Sequence, residues 1–159
     1  MGSQSNTDLA YIAGFLDGDG SLMLQLKKRS DGKKKLRFMA TICLYQDRRH
    51  EETLFWMQKF LNIGYVSRRS DGISELRING FDQVRDILSQ LLPFIRFKKI
   101  QAKALLKAVN LLSKKSIVQL TESDLETLVN IMVTIQNNNY VTRAKRTREE
   151  LLTALGLTP

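Results

Sequence analysis

The sequence predicts an α+β fold of order αββαββα, followed by additional C-terminal helices. Three observations carry this prediction: an apolar helical run near the N-terminus, two stretches of apolar–polar alternation that each contain an Asp-Gly turn, and helical segments after each stretch. With 159 residues, 43% of them hydrophobic, and no long linker, residues 1–159 are predicted to form a single domain.

The first predicted element is a helix that ends in the run Ile12–Gly20. One of its faces is apolar, with Leu9, Ile12, Phe15 and Leu16, and another holds small residues, namely Ala10, Ala13, Gly14 and Gly18. Because a glycine inside a helix costs about 1 kcal/mol relative to alanine, the small face needs a reason, and close approach of a second helix is one.

Two carboxylates, Asp17 and Asp19, end this helix between glycines. The C-terminus of a helix carries a partial negative charge, so acids are disfavoured there and need a compensating cation. A divalent metal with oxygen ligands suits them. The alternative interpretation is a core helix with a glycine-rich end and two solvated acids.

The strands are predicted from period-two alternation. Leu22, Leu24 and Leu26 alternate with more polar residues, and a second alternating run from Leu36 to Tyr45 follows the turn signal Asp31-Gly32. Residues 69–78 repeat the pattern of residues 29–38, with the same Asp-Gly turn and the same Leu-Arg-apolar ending. Four similar half-buried antiparallel strands are therefore expected.

The remaining helices are predicted from helical spacing, capping residues and breakers. Asp47 is expected to cap the first of them, Pro93 to end the second, and Thr121 with Asp124 to open the fourth through a capping box. The predicted ranges are 48–61, 82–91, 99–112, 121–136 and 147–156.

The charge is strongly positive and unevenly distributed. The formal net charge is +9, and residues 27–49 contain many lysines and arginines against two aspartates, whereas residues 119–139 contain no basic residue. Such a patch is typical of phosphate binding. The alternatives are a solvated basic surface or a patch for anionic membranes, and the strand pattern argues against the latter because membrane binding usually uses a basic amphipathic helix.

Several classes of site and location are excluded by composition. One cysteine rules out an internal disulfide framework, and one histidine with one cysteine cannot build a closed zinc site. No apolar run approaches a membrane span and the N-terminus lacks a signal-peptide core, so an intracellular protein with no export signal and no membrane partner is expected.

Three segments together resemble a known family: the run Ile12–Gly20, the tripeptide Tyr45-Gln46-Asp47, and Leu92–Lys98. With the element order, they resemble the single-motif LAGLIDADG homing endonucleases, over roughly Asp8 to Leu112. The resemblance implies an intron-encoded, site-specific DNA endonuclease that makes double-strand breaks in a long pseudo-palindromic target by metal-dependent phosphodiester hydrolysis. It also implies a homodimer, Mg²⁺ or another divalent cation such as Mn²⁺, and a location in an organelle or in a prokaryotic or archaeal cytoplasm.

The resemblance further implies roles for individual residues. Metal binding falls to Asp19 and the carbonyl of Gly18, while Gln46 orders the water shell and Lys98 acts electrostatically, which makes Asp19, Gln46 and Lys98 the expected catalytic residues. The motif helices of two protomers are expected to meet at the dimer axis through Ala10, Ala13, Gly14 and Asp17. Candidates for a further basic residue after Gln46 are Arg48, Arg49 and His50, and the role of His50 stays open.

The four strands are expected to form a concave sheet that lies in the DNA major groove. The candidate DNA-binding residues are the polar ones on its outward face, which can bond base edges or phosphates: Gln25, Lys27, Arg29, Lys35, Arg37, Thr41, Tyr45, Ser67, Arg69, Glu75, Arg77 and Asn79.

Two other functions compete with cleavage. A LAGLIDADG protein can bind DNA or RNA without cutting, as an intron maturase does, but a pure binder does not need the two acids Asp17 and Asp19 near phosphate. A basic RNA-binding protein would more plausibly expose aromatic residues for base stacking, and the strand face offers mainly Tyr45 and Tyr65.

Overall fold

The first helix runs without a loop into the first strand, at a junction that only glycine permits. Helix α1, Asn6–Asp19, is followed at once by strand β1, Gly20–Lys28. A Cβ on Gly20 would lie 2.6 Å from a methyl carbon of Leu16 and 2.8 Å from its backbone, so a larger residue would force the two elements apart. This tight junction fixes the acidic end of α1 against the sheet.

The computed structural model describes residues 5–29, 36–139 and 145–159. After α1 and β1, the elements are β2 (Leu36–Asp47), a 3-10 turn (Arg48–His50), α2 (Glu52–Leu61), β3 (Tyr65–Arg68), β4 (Ile73–Asn79), α3 (Phe81–Leu91), a 3-10 turn (Leu92–Phe94), α4 (Lys99–Lys114), a 3-10 turn (Ile117–Gln119), α5 (Glu122–Asn138) and α6 (Arg148–Ala154). The predicted αββαββα order with additional C-terminal helices is confirmed.

The four strands form one antiparallel sheet in the order β1-β2-β4-β3. Residues directly opposite each other share a face of a sheet, so the register defines rows of side chains across it. The face away from the core includes the rows Ser21–Cys43–Arg77–Tyr65, Met23–Thr41–Asn79 and Tyr45–Glu75–Ser67, and the pairs Gln25–Met39 and Lys27–Arg37 continue it along β1 and β2. We call this the open face.

The other face of the sheet carries the hydrophobic core. Leu22, Leu24 and Leu26 of β1 are at most 5% exposed and face the helices. Helix α3 buries one stripe at helical spacing, Val84, Ile87, Leu88 and Leu91, and α4 packs between α3 and α5. Helix α5 also contacts β1, so the C-terminal helices extend the layer to the edge strand.

The predicted helix-capping residues are confirmed, whereas one predicted helix begins later than expected. Thr121 and Asp124 form the expected capping box, and the Thr147 side chain accepts the N–H of Glu150. The predicted helix 48–61 is divided instead: Asp47 caps a 3-10 turn by accepting the N–H of Arg49 at 2.9 Å, and α2 begins only at Glu52.

One predicted turn and one predicted DNA contact cannot be compared with the structure. The turn signal Asp31-Gly32 and the candidate DNA-binding residue Lys35 lie outside the described residues. In the described ranges, no helix is both long enough and apolar enough to cross a membrane.

Candidate functional site

A groove of about 1230 Å³ runs along β1 and joins the end of α1 to the open face of the sheet. Helix α5 bounds its other side with Met132, Ile135 and Gln136, together with Asn139, which follows the helix. Seven residues predicted from the sequence line this groove: Gly18, Asp19, Gln25, Lys27, Tyr45, Arg69 and Lys98. The fold thus brings the acidic end of the first helix, a lysine from 80 residues later and basic strand residues to one cavity.

The two acids of α1 have different surroundings. Asp17 is 5% exposed, and its carboxylate accepts the backbone N–H of Arg96 at 2.7 Å and that of Lys98 at 3.0 Å. Asp19 is more exposed and lines the groove. Asp17 therefore ties the segment before α4 to the end of α1, while Asp19 remains directed to the groove.

The two hydrogen bonds accepted by Asp17 position Lys98. Its side chain is buried, with 4% exposed, and its Nζ donates to the backbone carbonyl of Asp17 at 2.5 Å. Burial lowers the pKa of the Lys98 ammonium, while the nearby charges of Asp17 and Asp19 act in the opposite direction. A cation is thereby held next to Asp19 at the end of the groove.

Gln46 lies near the same junction through the strand register. The last β1–β2 pair is Gly20 with Leu44, so Gln46 lies two residues beyond it, toward the end of α1. Its side-chain oxygen accepts the N–H of Asp47 at 2.8 Å, and it does not line the groove. In this conformation the Gln46 side chain is bonded to the backbone of the next residue and is not part of the groove lining.

A polar network occupies the centre of the open face. The Glu75 carboxylate, 7% exposed, accepts Arg77 Nε at 2.6 Å, Ser67 Oγ at 3.4 Å and the thiol of Cys43 at 3.8 Å. Burial is the main reason that the pKa of Cys43 rises to about 11, so this thiol stays protonated at neutral pH. Glu75 holds Arg77 in one orientation on the sheet.

Other predicted DNA-binding residues differ in how accessible they are. Thr41 is fully buried, and its hydroxyl donates to the side-chain oxygen of Asn79 at 2.7 Å, so it supports the sheet face and positions Asn79. Arg69 pairs with Asp71 at 2.6 Å at the rim. Lys27 lies opposite Arg37 in the register, which puts two exposed cations side by side, and Arg29 follows at the end of β1.

The exposed stripe of α1 differs in part from the predicted dimer interface. Ala10, Gly14 and Gly18 are exposed on one side of the helix. Ala13 is 0% exposed and packs in the protomer's own core, and Asp17 is engaged with the Arg96–Lys98 segment. Of the four predicted interface residues, Ala10 and Gly14 are therefore accessible to a second chain, whereas Ala13 and Asp17 are buried in the protomer. The interface itself stays a prediction.

The groove also contains residues that the sequence did not point to. They come from β1 and from the C-terminal part of the chain: Ser21, Met23, Lys28, Gln136, Asn139 and Arg146. Ser21 and Met23 could have been found from the alternation of β1, because they share the face of Gln25. The contribution of α5 depends on its packing against β1, for which no local signal exists.

One protomer supplies few ligands for a metal. In residues 5–29, 36–139 and 145–159, no cluster of three or more histidine, cysteine, aspartate or glutamate side chains could hold an ion. Asp19 offers an accessible carboxylate, and Gly18 precedes it in the groove lining. Oxygen donors at a helix end suit a hard divalent cation, but further ligands are needed to complete its shell.

The model of the LAGLIDADG endonuclease family matches residues 12–104, from the acidic motif of α1 into α4. The chain belongs to the LAGLIDADG endonuclease family. The matched segment contains the whole sheet, both acids of α1 and Lys98, whereas α5 and α6 lie beyond it.

Two curated relatives of this chain are named DNA endonucleases. The DNA endonuclease I-CvuI of Chlorella vulgaris is 33% identical over 100 residues, which are 63% of this chain and 62% of that protein. The DNA endonuclease I-CreI of Chlamydomonas reinhardtii is 32% identical over 101 residues, 64% of this chain and 61% of that protein. The aligned region therefore spans slightly more than three-fifths of each relative.

Structural similarity extends over nearly the whole chain. The crystal structure of I-CvuI in complex with the I-CreI target, in the presence of 2 mM Mg with the DNA not cleaved, superposes with a TM-score of 0.77 at 25% identity. The match covers 94% of this chain and 93% of that one, so the LAGLIDADG fold includes the C-terminal helices here as well.

Proposed function

We propose that this protein is a site-specific DNA endonuclease that hydrolyses phosphodiester bonds with a divalent cation. The observation that carries the proposal is the placement of Asp19 at the exposed end of α1, in a groove that also contains Lys98 and the basic residues of β1. The curated relatives that share the family are named DNA endonucleases, and one of them was crystallised on a DNA target with Mg.

Asp19 and the carbonyl of Gly18 would hold the cation, which we propose to be Mg²⁺. When bound, such an ion supplies an activated water and neutralises charge on the scissile phosphate. Lys98, held by Asp17, adds a fixed positive charge beside the developing negative charge, where preorganised electrostatics contributes most to catalysis. Gln46 must leave its bond to the N–H of Asp47 to orient water at the site.

We also propose that the active form is a homodimer that packs α1 against α1. A Cβ added at Gly14 or at Gly18 would meet no atom within 4 Å in the protomer, so neither glycine is required by the protomer's own packing. Glycines inside a helix cost about 1 kcal/mol each, and a second helix approaching this stripe would account for both. The dimer brings a second Asp19 to the centre, which supplies the ligands that one protomer lacks.

The open face of the sheet is the proposed DNA-reading surface. Gln25, Lys27 and Tyr45 line the groove itself, and Arg77 is oriented by Glu75 further along the same face. Arginine pairs with guanine edges and carboxylates accept from cytosine, so the Glu75–Arg77 pair can exchange its internal bond for base contacts. Arg37 occupies the same place in the sequence repeat as Arg77 and is likewise proposed to contact bases. Arg29 and Arg69 are proposed as phosphate contacts, and Lys35 stays a proposed DNA contact.

Cleavage of randomised double-stranded DNA tests this function directly. We expect recovery of one family of pseudo-palindromic sites in Mg²⁺ or Mn²⁺ and none in EDTA. A protein that retains a preferred site in binding assays but leaves every DNA intact in either metal would instead be a non-cleaving binder, such as an intron maturase. We further propose that the protein acts where its intron resides, in an organelle or in a prokaryotic or archaeal cytoplasm.

A further inference from the structure

An exposed aromatic cluster lies beside the small-residue stripe of α1. The Tyr11 and Trp56 rings pack in a T-shaped arrangement with centroids 5.7 Å apart, and Trp56 stacks on Phe60 at 5.7 Å. Tyr11 is 54% exposed, Trp56 39% and the neighbouring Phe55 45%. Contiguous large apolar side chains at the surface mark interaction sites, and Trp and Tyr are the residues that most often dominate interface energies.

A second exposed aromatic residue lies at the other edge of the same stripe. Phe97 is 71% exposed and is flanked by Arg96 and Lys98, whose backbone N–H groups are fixed by Asp17. At 3.6 residues per turn, Tyr11 and Asp17 lie about 60° on either side of Gly14. The aromatic cluster and the Arg96–Phe97 segment therefore border opposite edges of the stripe.

The proposed catalytic centre determines how two copies must be oriented. Both Asp19 residues have to reach one cleavage site, so the C-terminal ends of the two α1 helices must point the same way. The two-fold axis then runs roughly parallel to α1 between the stripes. Rotation by 180° about such an axis exchanges the edges, so each edge faces the opposite edge of the other copy.

We infer that the cluster Tyr11–Trp56–Phe60 of one protomer docks against Phe97 and Arg96 of a second copy of this chain. This inference rests on the homodimer proposed above, and it adds the side chains that flank the contact between the two α1 helices. Tyr11 and Asp17, which mark the two edges of the stripe, are six residues apart along α1, a distance of about 9 Å. The stacked Trp56 and Phe60 side chains extend the aromatic cluster beyond the ring of Tyr11. The exposed Arg96 guanidinium adds a cation that suits the face of an indole ring.

Substitutions that introduce opposite charges on the two sides of the contact test this pairing in the whole 159-residue chain. Trp56→Arg and Phe97→Asp are each prepared alone, and the two are then mixed with distinct tags. Each variant alone places an unpaired charge against the partner's apolar side chain at both edges, so its dimer dissociation constant should rise by at least about 30-fold per contact. The mixed dimer regains one complementary charge pair and one native contact, and should dissociate within about tenfold of wild type.

The control is Val118→Asp, at a position that is 89% exposed on the 3-10 turn before α5 and should leave dimerisation unchanged. Sedimentation velocity gives the dissociation constants, and circular dichroism verifies that each variant folds. A dimer that is unaffected by either single substitution, or one that the mixture does not rescue, overturns the aromatic pairing but leaves the homodimer standing. A wild-type protein that stays monomeric even with target DNA overturns both proposals.

Discussion

The contrast between Asp17 and Asp19 gives a sharp prediction about stability. Replacing Asp17 with alanine removes the acceptor of two backbone N–H groups, those of Arg96 and Lys98, at 2.7 and 3.0 Å. A buried donor left without a partner costs about 1–3 kcal/mol, so the two together should lower the free energy of unfolding by about 2–6 kcal/mol. With a urea m-value of about 2 kcal/mol per molar, the unfolding midpoint should fall by about 1–3 M.

Asp17→Asn should lose less, because its remaining carbonyl oxygen can keep one of the two bonds. Asp19→Asn is the matched control, two residues away on the same helix end. Asp19 lies where the helix dipole disfavours an acid by about 0.3–1 kcal/mol, but its charge also attracts the Lys98 ammonium, so its neutralisation should change the free energy of unfolding little. Only Asp17→Ala is therefore expected to lower stability by the larger amount.

Urea unfolding followed by circular dichroism measures all three variants under one set of conditions. If Asp17→Ala unfolds within about 0.5 kcal/mol of wild type, the carboxylate does not anchor the segment before α4, and the account of how Lys98 is positioned is refuted. A loss of stability in Asp19→Asn as large as that in Asp17→Ala would refute the division of roles between the two acids.

Three further outcomes are expected. Gly14→Leu should leave protomer stability equal or higher, since a Cβ at this position meets no atom within 4 Å, but it should weaken dimerisation by about 1–3 kcal/mol in sedimentation experiments. An unchanged dimer would contradict the proposed contact between the two α1 helices. The pKa of Glu51 is lowered to about 2, chiefly by Arg68, so the stability that this carboxylate contributes is present above its unfolded pKa of about 4.3 and is lost as the pH falls toward 2. Glu51→Gln should therefore reduce the dependence of the unfolding free energy on pH in this window. Parallel plots of unfolding free energy against pH for the two proteins would contradict this prediction. Arg77→Ala should relax base preference by about 1–3 kcal/mol at matching positions of both half-sites in a cleavage-specificity profile, and a change in only one half would exclude a symmetric reader.

Local patterns predicted the elements of this fold well. Helix α1, the alternating strands and the caps at Thr121 and Thr147 depend on neighbours within a few residues, and each formed where expected. The strand order β1-β2-β4-β3 was not predicted, because the pairing of β2 with β4 joins residues that are 26 to 38 positions apart, from Asp47–Ile73 to Thr41–Asn79. No short-range pattern specifies that register.

The site shows the same limit more clearly. The sequence placed Asp19 and Lys98 in the centre through family resemblance, and the structure brings both to one groove. The sequence could not show the role of Asp17, because the hydrogen-bond partners of this carboxylate lie 79 and 81 residues away along the chain. The burial of Thr41 and the groove wall formed by α5 likewise depend on tertiary packing alone.

The proposed role of Asp19 is tested by the cleavage rate of Asp19→Asn on a selected target, with binding measured on the same DNA. We expect cleavage in saturating Mg²⁺ to be abolished while specific binding persists or tightens, because one negative charge near phosphate is removed. Cleavage by the variant at the wild-type rate would contradict the assignment of Asp19 as the metal-binding carboxylate of the nuclease centre.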